Sequence, residues 1–117
     1  MKLTGIVLAT VLTLTSTLAI GGAIPMPRYD SKVLLPGQSY YYILPFYGNS
    51  HAEVLVRGGG NSDIDCYIYD RYGNLIDNDV DSTATCDLNW YPDYNAPYKI
   101  VIKNYGDYTT SYFVQTN

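Results

Sequence analysis

Apolar and polar side chains alternate in short runs along most of this chain. In the run around Cys66, Ile64 and Ile68 share one side with the cysteine, while Asp65 and Tyr67 fall on the other. Alternation with a period of two is typical of a strand that buries one face. We therefore predict strands, and no long helix, in the runs 31–35, 38–47, 52–57, 63–69, 75–76, 86–90, 98–102 and 112–116.

Glycine, proline, asparagine and aspartate separate these runs at short, regular intervals. Pro36-Gly37 and Asp70–Asn74 are typical turn sequences, and the glycines at 58–60 interrupt any ordered strand. Pro45 cannot donate a hydrogen bond to a neighbouring strand, so its strand should lie at a sheet edge. Seven or eight short strands predict an all-β fold, an antiparallel, jelly-roll-like β-sandwich over residues 31–117.

Residues 1–23 form a segment of a different kind. Lys2 is followed by residues 3–20 without a charge, and Gly21-Gly22-Ala23 then offers small residues where a signal peptidase cleaves. We expect a signal peptide cleaved after Ala23, then a lead-in segment over residues 24–30. The alternative is a retained membrane anchor, because the uncharged stretch approaches the roughly 20 residues that span a bilayer. Cleavage predicts a secreted or periplasmic protein with no membrane contact afterwards.

Two cysteines, Cys66 and Cys86, lie on the predicted buried sides of separate strands. An even number of cysteines in an exported chain indicates a disulfide. Closing a loop of this size stabilises a small domain by about 3 kcal/mol in the chain-entropy treatment. Two buried free thiols are the alternative, whereas a zinc site lacks the second pair of ligands. We predict a Cys66–Cys86 disulfide, with Trp90 in the core beside it.

The charge of the chain excludes one class of partner. Seven lysines and arginines face 11 aspartates and glutamates, which gives a net charge of −4, and loss of Lys2 with the signal peptide lowers it further. Nucleic-acid binding needs clustered basic residues that displace phosphate counterions. We therefore expect no nucleic-acid partner, and no attraction to anionic membrane surfaces.

A glycine- and aspartate-rich loop leads into the strand Asp63–Asp70 and a hairpin that reads Gly73-Asn74-Leu75. This order is similar to the bacterial pre-peptidase C-terminal domain family, which has a D-x-D-x-Y-x-Y-D strand before a G-N-L hairpin. The similarity covers roughly residues 33–117, with a departure at Tyr94-Asn95-Ala96, where a tryptophan and a glycine are usual. The resemblance implies a non-catalytic β-sandwich of the kind appended to secreted proteases. It also implies relatives that bind calcium or collagen.

Six aspartates are concentrated between residues 63 and 81. Calcium takes six to eight oxygen ligands, which loops rich in aspartate and glycine supply. The stretch beginning at Asp77 starts like an EF-hand loop, but Ser82 replaces the required glycine and Leu88 the bidentate glutamate. The alternative is that the aspartates only favour turns and keep the surface soluble. A calcium site of the sandwich type would use Asp63, Asp65, Asp79 and Asp81, and we expect no other cofactor.

Catalytic residues are hard to find in this sequence. His51 is the only histidine and lies beside Ser50 and Glu53 in a predicted turn. No serine occurs in the strained Gly-x-Ser-x-Gly setting that activates a nucleophile, and oxidised cysteines are not nucleophiles. We therefore interpret His51 as a solvated turn residue and expect no enzymatic activity.

Tyrosine is the other unusual feature, with 14 residues in the chain. Alternation turns some of them outward, where they can bind proteins or stack on sugars. We expect a secreted, non-catalytic domain that contacts a protein or extracellular-matrix partner. The alternative is a carbohydrate-binding module, which a planar row of exposed aromatic residues would favour. A second alternative is a small secreted hydrolase, which a pocket holding two carboxylates would favour.

Overall fold

The computed structural model describes residues 21–117, so residues 1–20 of the predicted signal peptide lie outside it. The described part forms eight strands, and it contains no helix long and apolar enough to cross a membrane. The strands are β1 (Tyr29–Leu34), β2 (Ser39–Phe46), β3 (Ala52–Gly58), β4 (Ile64–Tyr69), β5 (Leu75–Asp79), β6 (Thr85–Trp90), β7 (Ala96–Asn104) and β8 (Thr110–Thr116).

The eight strands form two antiparallel sheets of four strands each. Sheet I has the order β2-β7-β4-β5, and sheet II has the order β1-β8-β3-β6. Most successive strands lie in opposite sheets, which is the arrangement of a jelly roll. The predicted β-sandwich is confirmed. The strand that contains Pro45, β2, lies at an edge of sheet I as expected.

The strand boundaries lie within three residues of the sequence prediction, and two of the differences have clear physical causes. β1 begins at Tyr29 rather than residue 31, because it pairs with β8 along its whole length. β5 extends to Asp79, three residues beyond the predicted run 75–76. The carboxylates favour this extension: Asp77 Oδ2 accepts the Asn89 N–H at 2.9 Å, and Asp79 Oδ2 accepts the Asp87 N–H at 3.0 Å. Two aspartates thereby satisfy amides on the free edge of β6.

The core lies between the two sheets and contains the disulfide. Cys66 on β4 and Cys86 on β6 are fully buried, and their bond joins sheet I to sheet II across a Cα–Cα distance of 6.2 Å. The predicted pairing is confirmed. Trp90 is buried as predicted, but it packs against Phe46 and Tyr98. Trp90 lies four positions along β6 from Cys86, which corresponds to about 13 Å of strand. The prediction that Trp90 lies beside the disulfide was therefore wrong.

At the open corner between β1 and β2, one tyrosine joins the sheets. The Tyr42 hydroxyl donates to Asp30 Oδ2 at 2.8 Å and lies 2.8 Å from the Tyr112 hydroxyl. Burial raises the pKa of Tyr42, and it raises the pKa of Tyr112 to about 12, so both phenols stay protonated. The hydrogen bond from Tyr42 lowers the pKa of Asp30. We call these three residues the Tyr42 cluster.

The last residues of the predicted signal peptide pack against the sandwich. The Ala23 N–H donates to the Asn117 carbonyl at 2.9 Å, and the Gly22 carbonyl accepts the Tyr47 N–H at 2.9 Å. Ala23 is only 1% exposed and forms an isolated bridge with Phe46. Gly22 has a φ of +74°, and a Cβ atom there would lie 2.2 Å from the Asn117 carbonyl oxygen, so only glycine fits. Cleavage after Ala23 stays a prediction.

Candidate binding surface

The outward side of sheet I carries a patch of aromatic and apolar side chains. Strand pairing places Tyr41 beside Val101, and Val101 beside Tyr67, in one row across three strands. Ile43 and Tyr69 share the next row, on either side of β7. Tyr41 is 57% exposed and Ile43 is 61% exposed. We call this patch the tyrosine face; it consists of Tyr41, Ile43, Tyr67, Tyr69 and Val101.

Neighbouring groups hold the rings of the tyrosine face in defined positions. The rings of Tyr67 and Tyr69 have centroids 6.4 Å apart and planes inclined by 22°. The Lys99 ammonium lies 4.7 Å from the centroid of the Tyr41 ring, a cation–π contact. Burial raises the pKa of Tyr67 above that of a free tyrosine. Amphipathic rings arranged in this way suit a surface that binds another molecule.

Two clefts lie at one end of the tyrosine face, on either side of Arg71. The larger cleft, of about 510 Å³, has Ile43 and other residues of the tyrosine face on its floor. The smaller cleft, of about 270 Å³, lies between the β4–β5 hairpin and the β6–β7 loop, and Trp90 and Tyr94 line it. Arg71 and Tyr98 line both clefts, so the side chain of Arg71 stands at their junction.

Arg71 is fixed by aromatic rings rather than by a carboxylate. The guanidinium carbon lies 5.4 Å from the Tyr72 ring centroid and 5.3 Å from that of Tyr94. One guanidinium N–H donates to the Tyr94 hydroxyl at 3.3 Å. This hydrogen bond is the main reason that the pKa of Arg71 is raised, and the neighbouring Tyr72 raises it further.

The loops that hold Arg71 are rigid for local reasons. Asp70 Oδ1 accepts the backbone N–H groups of Tyr72 and Asn74, and Oδ2 accepts the Asn74 side-chain amide. These bonds lower the pKa of Asp70, and the bond from the Asn74 side chain lowers it most. Across the cleft, Gly48 approaches the Tyr94 backbone so closely that a Cβ atom would lie 2.2 Å from the Tyr94 Cα. The hairpin and the facing loop are therefore both tied down.

The structure divides the four aspartates predicted to bind calcium into two pairs. Asp79 accepts an amide of β6, and Asp81 Oδ1 accepts the Thr83 N–H at 3.1 Å and the Thr83 hydroxyl at 2.6 Å. By contrast, Asp63 Oδ1 and Asp65 Oδ1 are buried without a hydrogen-bond partner. Burial raises the pKa of Asp65, and the Asp63 carboxylate raises it further. The second pair therefore has buried carboxylate oxygens without hydrogen-bond partners, whereas one oxygen of Asp79 and one of Asp81 already accept hydrogen bonds.

The four-aspartate calcium site stays a prediction. Within residues 21–117, no three side chains of histidine, cysteine, aspartate or glutamate converge to hold a metal. Asp63 and Asp65, with the buried and unpartnered Ser62 hydroxyl, supply fewer oxygens than the six to eight that calcium takes. A cation here would need backbone carbonyls or water for its remaining ligands.

The residues considered for catalysis do not line the clefts around Arg71. His51 Nε2 lies 2.7 Å from Asn89 Oδ1, and Ser50 Oγ donates to a backbone carbonyl, so the serine and histidine do not bond to each other. Glu53 and Asp87 form a carboxyl pair on the outward side of sheet II. A hydrogen bond that the protonated Glu53 carboxyl donates to Asp87 raises the pKa of Glu53, because two neighbouring carboxyls share one proton more readily than they ionise together.

Solved structures share this architecture. The pre-peptidase C-terminal domain of collagenase from Bacillus anthracis superposes with a TM-score of 0.62, at 11% identity over 82% of this chain and 90% of that one. The sandwich has a pre-peptidase C-terminal fold. The resemblance noted in the strand Asp63–Asp70 is thereby confirmed at the level of the fold.

Two further solved structures have similar folds. One is PliG from Aeromonas hydrophila, a periplasmic inhibitor of g-type lysozyme, with a TM-score of 0.56 at 10% identity over 78% of this chain and 84% of that one. The other is the Yersinia pseudotuberculosis-derived mitogen, with a TM-score of 0.54 at 15% identity over 80% of this chain and 86% of that one. No protein-family model matches the sequence, and no curated protein matches it significantly.

Sequence reasoning missed the arrangement around Arg71. In the sequence Arg71 is a turn residue among aspartates, and Tyr94, which accepts its hydrogen bond, lies 23 residues away. The one available signal was the departure from the family pattern at Tyr94-Asn95-Ala96. That departure places a tyrosine where the β6–β7 loop faces the hairpin.

Proposed function

We propose that this chain is an exported, non-catalytic domain that binds a protein or extracellular-matrix partner through the tyrosine face. The observation that carries the proposal is the alignment of five aromatic and apolar side chains in two rows on the outward side of one sheet. Exposed apolar patches on a small domain mark interaction surfaces. Tyrosine suits such a surface because it buries a large area at a small cost in side-chain entropy.

Two observations support export to the periplasm or the medium. The buried Cys66–Cys86 disulfide is a feature of proteins that fold in oxidising compartments. One structural neighbour, the lysozyme inhibitor PliG, is a periplasmic protein by its name. Both agree with the signal peptide that the sequence predicts.

The proposal includes no catalytic activity because of how the carboxylates at the smaller cleft are hydrogen-bonded. Asp70 and Asp93 both line the smaller cleft, which is the arrangement that a hydrolase would need. However, both oxygens of Asp70 already accept hydrogen bonds within the hairpin, and its pKa is lowered rather than raised. A general acid needs the opposite shift.

A carbohydrate ligand is the second candidate, and the geometry of two rings favours it. Tyr67 and Tyr69 are inclined by only 22°, with centroids 6.4 Å apart, so the two rings can act together on an extended ligand. The protein partner is preferred because Ile43 and Val101 lie between and beside the rings. These aliphatic side chains offer no stacking surface or hydrogen bond to a sugar.

The proposal is tested with purified mature protein and immobilised probes. Type I collagen and a g-type lysozyme are chosen as protein probes because a collagenase domain and a g-type lysozyme inhibitor share the fold. Cellulose and chitin are the carbohydrate probes. The test variants are Tyr41→Ser and Tyr69→Ser. The matched control is Tyr108→Ser, because Tyr108 is 84% exposed but lies off the tyrosine face.

We expect binding to a protein probe that weakens at least about tenfold in each test variant, as for a tyrosine at the centre of an interface. Tyr108→Ser should leave the affinity unchanged. Binding to polysaccharide alone would transfer the function to the carbohydrate alternative. Protein binding that survives both test variants would show that the tyrosine face is not the interface.

Any calcium in this proposal is held by the pair Asp63 and Asp65. The support is that their buried Oδ1 atoms lack hydrogen-bond partners and that a cation would offset the repulsion between the two carboxylates. We assign the site to this pair in preference to Asp79 and Asp81, because one oxygen of each of those carboxylates already accepts hydrogen bonds.

A further inference from the structure

The sandwich has two open edges, and aspartates protect only one of them. At the edge formed by β5 and β6, Asp77 and Asp79 of β5 accept backbone N–H groups of β6. The opposite edge is formed by β1 and β2, each the outermost strand of its sheet. β1 carries a lysine and an aspartate, whereas β2 reads SYYYILPF and carries no charge. Because an uncharged and uncovered edge pairs readily with other chains, β2 is the strand of this molecule that is open to pairing.

The backbone of β2 offers free hydrogen-bonding groups along most of its outer side. Near the end of the strand, the Pro45 carbonyl accepts the Ile24 N–H at 2.9 Å, so Pro45 directs its carbonyl away from β7. Alternation along an antiparallel strand gives the same direction to the N–H and C=O groups of Tyr41 and Ile43. Within residues 21–117, no strand pairs with β2 on that side apart from the short segment that contains Ile24. Residues 39–43 are therefore uncovered, and we call them the β2 edge.

Large apolar side chains surround the β2 edge. Tyr41 and Ile43 are each more than half exposed on the outward side of sheet I. On β1, at the same end of the molecule, Tyr29 and Val33 are also more than half exposed. Clustered exposed apolar side chains mark a contact surface. A partner that pairs with the backbone of the β2 edge would cover apolar area on both sheets.

The charges beside the β2 edge are arranged to match a second copy of the chain. The Tyr42 hydroxyl donates to Asp30 of β1 at 2.8 Å. The ammonium of Lys32, two positions further along β1, lies 4.8 Å from the Tyr40 ring centroid. On β2 the midpoint between these two contacts is Tyr41. A two-fold axis through this midpoint, perpendicular to the sheets, would bring Asp30 of each copy beside Lys32 of the other. This charge complementarity favours a second copy as the partner.

We propose that two copies of this chain form a dimer in which their β2 edges pair antiparallel about Tyr41. Tyr41 then faces its counterpart, and Ser39 faces Ile43 of the second copy; each such pair exchanges two N–H···O bonds. The ladder ends before Pro45, whose carbonyl already accepts the Ile24 N–H. Sheet I becomes continuous across the dimer, and the two tyrosine faces form one surface. The inference goes beyond the proposed function and does not depend on it, because it is tested on the pure protein.

The test measures the oligomeric state of the purified mature protein by sedimentation velocity, over about a hundredfold range of concentration, because mass action makes a dimer concentration-dependent. The main variant is Ile43→Pro, which removes an N–H of the β2 edge and leaves the bonds to β7 in place. Pro45 shows that β2 accommodates proline where the backbone is directed outward. The matched control is Ile43→Thr, which keeps the N–H and a side chain that favours strands. Circular dichroism checks that each variant is folded.

A second variant tests the charges and leaves the backbone intact. Lys32→Glu places a carboxylate beside Asp30 of the other copy. Arg57→Glu is its matched control, because it makes the same change of charge at an exposed position on β3, which lies inside sheet II.

Two cysteine variants, Tyr41→Cys and Ile43→Cys, test the register under mild oxidation. In a hydrogen-bonded antiparallel pair the Cα atoms lie about 5.5 Å apart, a distance that a disulfide can span. Pairing about Tyr41 brings the two residues at position 41 to this distance. It leaves the two residues at position 43 four positions apart along the strand, about 13 Å, which is too far for a disulfide.

We expect the wild type to shift from monomer to dimer as its concentration rises. Ile43→Pro and Lys32→Glu should each weaken dimerisation at least about tenfold, the first through lost backbone pairing and the second through like-charge repulsion. The controls Ile43→Thr and Arg57→Glu should remain within about threefold of the wild type. Tyr41→Cys should form a cross-linked dimer, and Ile43→Cys should not.

A wild type that stays monomeric at every concentration would overturn the inference. So would a folded Ile43→Pro variant that dimerises like the wild type, or cross-linking at position 43 without cross-linking at position 41. Equal losses in Lys32→Glu and Arg57→Glu would remove the charge match from the argument for a second copy and count against it. A monomer whose binding to a protein probe is abolished by Ile43→Pro would assign the β2 edge to a strand of another protein instead.

Discussion

Loss of the Cys66–Cys86 bridge should reduce the stability of the domain by about 3 kcal/mol. The two cysteines are separated by 20 residues in sequence. In the chain-entropy treatment, a loop of that size loses about 11 cal/mol/K in the unfolded chain, or about 3 kcal/mol at 25 °C. For a domain of about 100 residues, 1 kcal/mol corresponds to roughly 4–8 °C in Tm. The Tm should therefore fall by roughly 12–24 °C.

The measurement is a thermal melt followed by circular dichroism, on two samples that remove the bridge differently. One is the double variant Cys66→Ala/Cys86→Ala, whose loss includes the small gap left by two fully buried sulfur atoms. The other is wild-type protein unfolded, reduced and refolded in reductant, which keeps every side chain. A fall of less than about 4 °C in both samples would refute the reasoning. So would free thiols in the native exported protein.

The remaining predictions concern buried polar groups and the N-terminal segment. Tyr42→Phe should lower the free energy of unfolding, measured with urea at pH 7, by about 1 kcal/mol. Tyr42 lowers the pKa of Asp30 in the folded protein. The difference in stability between wild type and variant should therefore be present above the unfolded pKa of Asp30 and be lost as the pH falls through its lower folded pKa. Asp65→Asn should raise the Tm at pH 7 and leave it unchanged at low pH, because the raised pKa of Asp65 makes its ionised form unfavourable in the folded state; an equal gain at both pH values would contradict this. Millimolar calcium should raise the Tm of the wild type but not of Asp63→Asn/Asp65→Asn, and a shift in both would place the ion elsewhere. A chain that starts at residue 24 should melt below one that starts at residue 21, because it lacks the buried Ala23 and two backbone hydrogen bonds; equal melting would mean that these contacts contribute nothing.

The sandwich could be predicted from the sequence because its two determinants are local. Side-chain alternation assigned Ile64, Cys66 and Ile68 to one buried side, and all three are fully buried. Pro45 indicated an edge strand because it lacks an N–H, and β2 lies at the edge. These inferences need only the geometry of one strand. The acidic end of β5 could not be predicted, because the amides that stabilise Asp77 and Asp79 belong to β6.

The tyrosine face could be predicted only in part from the sequence. Alternation requires that neighbours such as Tyr41 and Tyr42 face opposite sides, but it does not say which of them is exposed. The register of strand pairing decides which of the two is exposed. Pairing with β7 places Tyr41 in a row with Val101 and Tyr67, and it turns Tyr42 toward Asp30. The cleft at Arg71 depends on two loops from different parts of the chain. Contacts between loops have no sequence periodicity, so they cannot be predicted from the pattern of apolar and polar residues.

The residues around Ala23 show how two physical requirements can select the same sequence. A signal peptidase needs small side chains near the bond that it cuts, and a backbone that approaches Asn117 closely needs glycine at position 22. Gly21-Gly22-Ala23 satisfies both requirements, so composition cannot tell a processed segment from a packed one. Hydrogen bonding distinguishes them, since cleavage after Ala23 would discard a buried residue and its bridge to Phe46. Ala19, with Thr17 two positions before it, offers small residues at the same spacing, and cleavage there would keep the bridge in the mature domain.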